Sequence, residues 1–160
     1  ISTEPENHNK MSHIRYQKVA RIPVPDMVVE GDADDAELLI VGFGSTYGHL
    51  LSATNVLRSR GHKVAMAQLK FVNPLPANIA EVLMRYPKVV VAEQNLGQLA
   101  ALLRIRVNGF APYQYNQVKG QPFVVNDLVE EFERLLETKA VPSGAQTFDT
   151  KVLNAPNINI

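Results

Sequence analysis

The chain has 160 residues, 46% hydrophobic and 20% charged, with sixteen Lys and Arg balanced by sixteen Asp and Glu. This is the size and composition of one folded domain, since a chain of about 150 residues buries roughly 68–70% of its unfolded surface. Neutral charge gives no net pull toward nucleic acid or anionic membrane, and no run reaches the ~20 apolar residues of a membrane span. The absence of cysteine excludes disulfides, thiolate-bound zinc and an iron–sulfur cluster held by this chain alone. A cytoplasmic protein is the expectation.

Residues 1–36 are expected to be a linker and lead-in from a preceding domain, because Ser2 to Lys10 is polar and the chain starts at Ile1 rather than Met. Met11 to Ala20 predicts a short helix with Met11, Ile14 and Lys18 on one side. Pro23 and Pro25 break helix and confine any strand between Val19 and Val29 to a sheet edge. Gly31 to Asp35 reads as a solvated turn.

Residues 37–140 predict an α/β domain. Leu38 to Val41 is a continuous apolar run ending in Gly-Phe-Gly, as in a buried parallel strand. Thr46 to Arg60 has helical spacing, with Gly61 placed as its C-terminal stop. Val64 to Phe71 is a second strand, and a helix opened by Pro76 runs to Tyr86, burying Ile79, Val82 and Leu83. Val89 to Glu93 is a third strand. A helix follows from about Asn95 to Val107, with Leu96, Leu99, Ala100, Leu102 and Leu103 as its apolar face. Pro112 to Val118 alternates like an edge strand with Tyr113 and Tyr115 on one face. Val125 to Glu137 is a final amphipathic helix, and 141–160 is a polar tail expected to pack on a partner or stay loose. Alternation of strand and helix implies a mostly parallel sheet with helices on both faces, a three-layer α/β/α fold.

Two loops carry candidate chemistry. Gly42-Phe43-Gly44-Ser45-Thr46-Tyr47-Gly48 turns sharply after a strand and leaves amides at a helix mouth, where an anion can sit. The third glycine comes one position late for a dinucleotide fingerprint, and no acidic residue ends the next strand to hold a ribose. The plain alternative is a tight turn in which Ser45 or Thr46 caps the helix. Glu93-Gln94-Asn95-Leu96-Gly97-Gln98-Leu99 places an acid and three amides at the carboxyl end of a strand, the edge where open α/β sheets bind ligands and partners. Against a binding role stands the reading that Asn95 only caps the helix and Gly97 only permits close packing. The candidates for an interface or a ligand are therefore Gly44, Ser45, Thr46, Glu93, Asn95, Gly97 and Gln98. Asn73-Pro74-Leu75-Pro76 reads as a stiff connection and Lys119-Gly120-Gln121-Pro122-Phe123 as a turn. His8, His13, His49 and His62 lack ligand spacing, and no catalytic triad, carboxylate pair or Gly-Asp-Gly magnesium–diphosphate motif is present. No catalytic or metal-binding residue is assigned.

Glu4-Pro5-Glu6-Asn7-His8, the Gly42 to Thr46 turn, Asn73 to Pro76, Glu93 to Leu99 and Lys119 to Phe123, in this order, resemble the C-terminal part of the alpha subunit of 2-oxoacid:ferredoxin oxidoreductases, above all the 2-oxoglutarate type. The resemblance runs from residue 2 to about 137. It implies the transketolase C-terminal-like fold, a five-stranded mixed sheet whose antiparallel edge strand would come from the Pro-bordered stretch near Ile22. It implies an enzyme that decarboxylates a 2-oxoacid on thiamine diphosphate, reduces ferredoxin through an iron–sulfur cluster and releases an acyl-CoA. Thiamine diphosphate, Mg and the cluster would belong to the full complex, with a beta subunit and the upstream domain of the same subunit as partners, and ferredoxin and CoA serving the complex. The fragment alone would be inactive and would organise contacts. A transketolase or 2-oxoacid dehydrogenase beta component is one alternative, and a free-standing nucleotide- or anion-binding module is another.

Overall fold

The apolar run at Leu38 forms the middle of the molecule. In the computed structural model, which describes residues 3–139, β2 (Leu38–Phe43) pairs in parallel with β3 (Val64–Leu69) on one side and with β4 (Val89–Glu93) on the other. Leu38, Leu39, Ile40 and Val41 are all fully buried. A strand covered on both faces has no polar side to alternate with, and this explains the unbroken run. β5 (Tyr113–Asn116) adds in parallel to β4, and β1 (Val29–Gly31) adds antiparallel to β3. The strand order is β1-β3-β2-β4-β5, the mixed five-stranded sheet the resemblance implied.

Two apolar layers sandwich this sheet. Leu39, Val41, Ala65, Ala67, Val89 and Val91 meet Ile79, Val82 and Leu83 of α3 (Ile79–Arg85) and Leu99, Ala100 and Leu103 of α4 (Gln98–Arg106). Leu38, Ile40, Val64, Met66, Val90 and Ala92 meet Leu50, Ala53 and Leu57 of α2 (Tyr47–Ser59) and Leu128, Val129, Phe132 and Leu135 of α5 (Val125–Glu137). Alternate strand residues feed opposite layers, as the two-residue period requires. Tyr113 and Tyr115 join the second layer as expected, and Tyr115 meets the edges of Phe123 and Phe132.

Several boundaries differ from the sequence reading. α1 (Pro5–Ala20) starts six residues before Met11, with Pro5 in its first turn and Glu6 beside its positive end. None of its residues is buried. The antiparallel edge strand lies at Val29–Gly31 and not near Ile22, which is 46% exposed. Pro23 and Pro25 have no N–H to donate to a ladder, so pairing starts only past them. Pro76 does not open α3. Its carbonyl accepts the Ile79 amide in a preceding turn, and Asn78 is the cap residue. The Asn73–Pro74 bond is cis. The helix expected from Asn95 starts at Gln98, and Leu96, expected on its buried face, is 73% exposed in the loop. The expected tail at 141–160 lies outside the described residues.

Candidate functional site

Both candidate loops lie at the carboxyl edge of neighbouring strands, and the chain leaves them toward opposite faces. From β2 it enters α2 on one face, and from β4 it enters α4 on the other. Divergence of this kind marks the switch point of an α/β sheet, the place where such sheets generally bind ligands.

After β2, a single turn of 3-10 helix spans Gly44–Thr46. Thr46 is buried, and its hydroxyl donates to the Phe43 carbonyl at 3.0 Å and accepts the Phe43 amide at 3.2 Å. It therefore closes the turn instead of facing a ligand. Gly44 adopts φ +65 and, like Ser45, lies exposed. The Gln68 side-chain amide donates to the Gly44 carbonyl at 3.0 Å, tying the loop to β3. Gly42 is required by crowding. A Cβ there would collide with Leu50 and come within 2.8 Å of Gln68 Oε1 and 2.9 Å of Thr46 Oγ1.

After β4, the polar run divides into internal and outward groups. Glu93 is buried, and its carboxylate accepts the Leu99 amide at 2.6 Å and the Ala100 amide at 2.9 Å. A negative group is thus fixed at the positive end of α4. Asn95 Oδ1 accepts the amides of Gly97 at 2.7 Å and Gln98 at 3.0 Å. Gly97, at φ +92, is the cap residue, and a Cβ on it would lie 2.5 Å from Gln114 Oε1 and 3.1 Å from Asn116 Nδ2. Gln94 donates to the Gln121 carbonyl at 2.8 Å and pins this loop to the turn before α5. Leu96 and Gln98 are the side chains left facing outward.

Of the candidates, Glu93, Asn95, Gly97 and Thr46 therefore build the loops, while Gly44, Ser45 and Gln98 lie at the surface. The sequence reading missed the exposed apolar rim. Val28 precedes β1, whose antiparallel direction puts its start at this same edge, and Phe43, Phe71, Leu96 and Val118 stand at or beyond the carboxyl ends of β2, β3, β4 and β5. Their exposures run from 40% for Phe71 to 73% for Leu96. The signal was present in the sequence, as an apolar residue at each strand exit where turn chemistry asks for none. Tyr47 adds a hydroxyl that donates to the Glu30 carboxylate at 3.1 Å. That hydrogen bond, with desolvation and the negative charge beside it, raises the phenol above its ordinary value.

Among the described residues no three of His, Cys, Asp and Glu converge as metal ligands, and the whole chain lacks cysteine. Among the described residues the side chains present do not fit a magnesium–diphosphate site or a cluster. Among the described residues no helix is long and apolar enough to cross a membrane.

The family model for pyruvate:ferredoxin oxidoreductase core domain II matches residues 36–128. The chain belongs to this family. The 2-oxoglutarate oxidoreductase subunit KorA of Mycobacterium tuberculosis is 54% identical over 104 residues, covering 65% of this chain and 16% of its own length. The alpha subunit of 2-oxoacid:ferredoxin oxidoreductase 2 of Aeropyrum pernix is 33% identical over 129 residues, 78% of this chain and 20% of its own. The chain thus spans about a fifth or less of these relatives. The solved 2-oxoglutarate:ferredoxin oxidoreductase of Magnetococcus marinus, with 2-oxoglutarate, coenzyme A and succinyl-CoA bound, superposes at a TM-score of 0.73 with 28% identity, over 85% of this chain and 24% of that one. Transketolase of Pichia stipitis matches at a TM-score of 0.51 and 15% identity, over 76% of this chain and 20% of its own. This second likeness is one of fold alone. The core domain II assignment covers both candidate loops and most of the apolar rim, leaving only Val28 outside the matched span.

Proposed function

We propose that this chain is the C-terminal domain of the alpha subunit of a thiamine-diphosphate-dependent 2-oxoacid:ferredoxin oxidoreductase, acting in the cytoplasm on 2-oxoglutarate. In this reading residues 1–36 lead in from the preceding domain, 37–140 form the α/β unit and 141–160 the tail. A beta subunit and the upstream domain are its partners, and thiamine diphosphate, Mg, the iron–sulfur cluster, ferredoxin and CoA serve the complete enzyme. The domain's own work is to hold other parts of that enzyme against the carboxyl edge of its sheet.

The observation that carries this role is the rim. All five strands have an exposed apolar side chain at or next to the end that lies on one edge, at Val28, Phe43, Phe71, Leu96 and Val118. Scattered apolar residues are normal on a protein surface, but a row of them along one edge marks a contact surface. The internal bonds of Glu93, Asn95 and Thr46 support the same view, because they hold Leu96, Gln98 and Phe43 outward on a stiff frame.

The test uses the complete enzyme assembled with this chain in its subunit. It should reduce ferredoxin with CoA and 2-oxoglutarate. No reduction with any 2-oxoacid would sink the reading, and preference for a branched 2-oxoacid would correct its substrate. Leu96→Asp and Gln98→Ala touch no internal hydrogen bond of the loop, so a loss of assembly or turnover would trace to the edge itself. Normal assembly and turnover in both would remove these two residues from the contact. Asn95→Ala combines that loss with a loosened turn.

A further inference from the structure

The carboxyl edge holds a cleft of about 710 Å3 between the lead-in to β1 and the ends of β2 and β3. It exists because β1 is short. β1 pairs only with Ala65 to Ala67, while β3 runs on to Leu69, so the last residues of β3 have no neighbour on that side. The register would set Met27 opposite Leu69, but its N–H donates to Asn78 Oδ1 at 2.8 Å and its carbonyl accepts Asn78 Nδ2 at 3.0 Å instead of extending the ladder. Phe43, Tyr47 and Phe71 give the cleft three exposed rings, and Val28 is 71% exposed beside them. Asp26 and Glu30 give it two carboxylates, against one cation, Lys70. Neither carboxylate is in an ion pair among the described residues, and Glu30 accepts only the Tyr47 hydroxyl. Nearby Asp32 and Asp35, by contrast, hold Arg58 and Lys63.

We infer that this cleft receives an arginine-bearing extended segment from a part of the oxidoreductase outside this chain. The inference rests on the proposed function. A guanidinium stacks flat on aromatic faces and bonds a carboxylate through two parallel N–H groups, so rings flanked by unpaired carboxylates match it on both counts. The cleft's excess negative charge disfavours the phosphates of CoA. The matched relatives are roughly four times as long as this chain, so polypeptide to supply the segment exists. A volume of about 710 Å3 suits a few side chains or a compact ligand.

The test places the photo-crosslinker p-benzoylphenylalanine at Phe71 in the complete, assembled enzyme and identifies the captured peptide by mass spectrometry. The expected product is a peptide from outside this chain with an arginine next to the linked residue. Glu30→Lys should lower its yield about tenfold, the equivalent of one lost charge-assisted contact. Glu30→Gln, which keeps an acceptor for Tyr47, should lower it less, and Glu37→Lys on the exposed surface should leave it unchanged. No capture, capture of a peptide without arginine, or loss of capture on adding CoA would each overturn the inference. An enzyme that reduces ferredoxin yet yields no crosslink sinks the cleft assignment alone, whereas failure to reduce ferredoxin is a failure of the function itself.

Discussion

The Glu93 carboxylate accepts the amide of Leu99 at 2.6 Å, six residues along the chain and across the entrance to α4. Its other oxygen takes the Ala100 amide. A helix start leaves amides without partners, and burial raises the cost of leaving them so. Glu93→Gln keeps one acceptor and turns an NH2 group toward the remaining N–H. The expected loss is about 1–3 kcal/mol of unfolding free energy, read as a lower urea midpoint at unchanged slope. Hydrogen exchange at Leu99 and Ala100 should speed up. Gln98→Ala, exposed and without such bonds, should stay within about 0.5 kcal/mol of wild type.

This pair also shows how far the residues alone could be read. The alternation of strands and helices and the two helical layers followed from periodicity, since burial of β2 on both faces leaves an unbroken apolar run at Leu38 to Val41. The five-stranded mixed sheet, by contrast, came from the resemblance. The polar cluster at Glu93 to Gln98 was visible, but not its division into inward and outward groups. Whether a carboxylate turns into a helix mouth or toward solvent depends on three-dimensional closure, and Asn95 and Gln98 look equally polar in one dimension. The cleft was harder still. It brings together residues 26–30, 43–47 and 68–71, and it owes its shape to where β1 stops against β3, a register that no local pattern encodes. The start of α1 at Pro5 was readable, because Pro followed by Glu is a first-turn signature.

Lys88 makes the matching bond at the other end of the sheet. Its buried ammonium donates to the carbonyls of Leu135 at 2.9 Å and Leu136 at 2.6 Å, in the last turn of α5. A cation at a helix C-terminus meets the negative end of the dipole and satisfies carbonyls that the helix leaves free. Lys88→Met keeps the apolar stem and removes the donor. The expected cost is about 1.5–3 kcal/mol, with amide exchange increased in the last turn of α5 rather than through the sheet.

Gly97 and Gly44 separate two costs of a side chain. Both have positive φ, +92 and +65, but a Cβ on Gly44 would meet nothing within 4 Å, whereas one on Gly97 would press on Gln114. Gly44→Ala should cost only the left-handed backbone penalty of about 1–2 kcal/mol. Gly97→Ala should cost more, and Gln114→Ala in the same chain should recover the excess. Equal losses in the two single variants would show that the amide of Gln114 yields freely. Thermal midpoints of the three variants decide it.

Asp32 carries the clearest pH dependence. It bonds Arg58 through both oxygens, each at 3.0 Å, and that hydrogen bond, aided by the guanidinium charge, holds its carboxyl below the ordinary value. Glu133 is lowered in the same direction by the hydrogen bond from Arg60, with His62 adding to it. For a carboxyl whose folded value is depressed, the stabilisation is present above the unfolded value and lost as pH falls through the folded one. The wild type should therefore be more stable than Asp32→Asn at neutral pH, and the gap should close only below about pH 4, the ordinary range of an aspartate. High salt should narrow it as well, because Arg58 is 42% exposed and its charge is open to screening. A gap that persists unchanged at pH 2 would mean that Asp32 acts through shape and through its contact with the Val64 amide rather than through its charge.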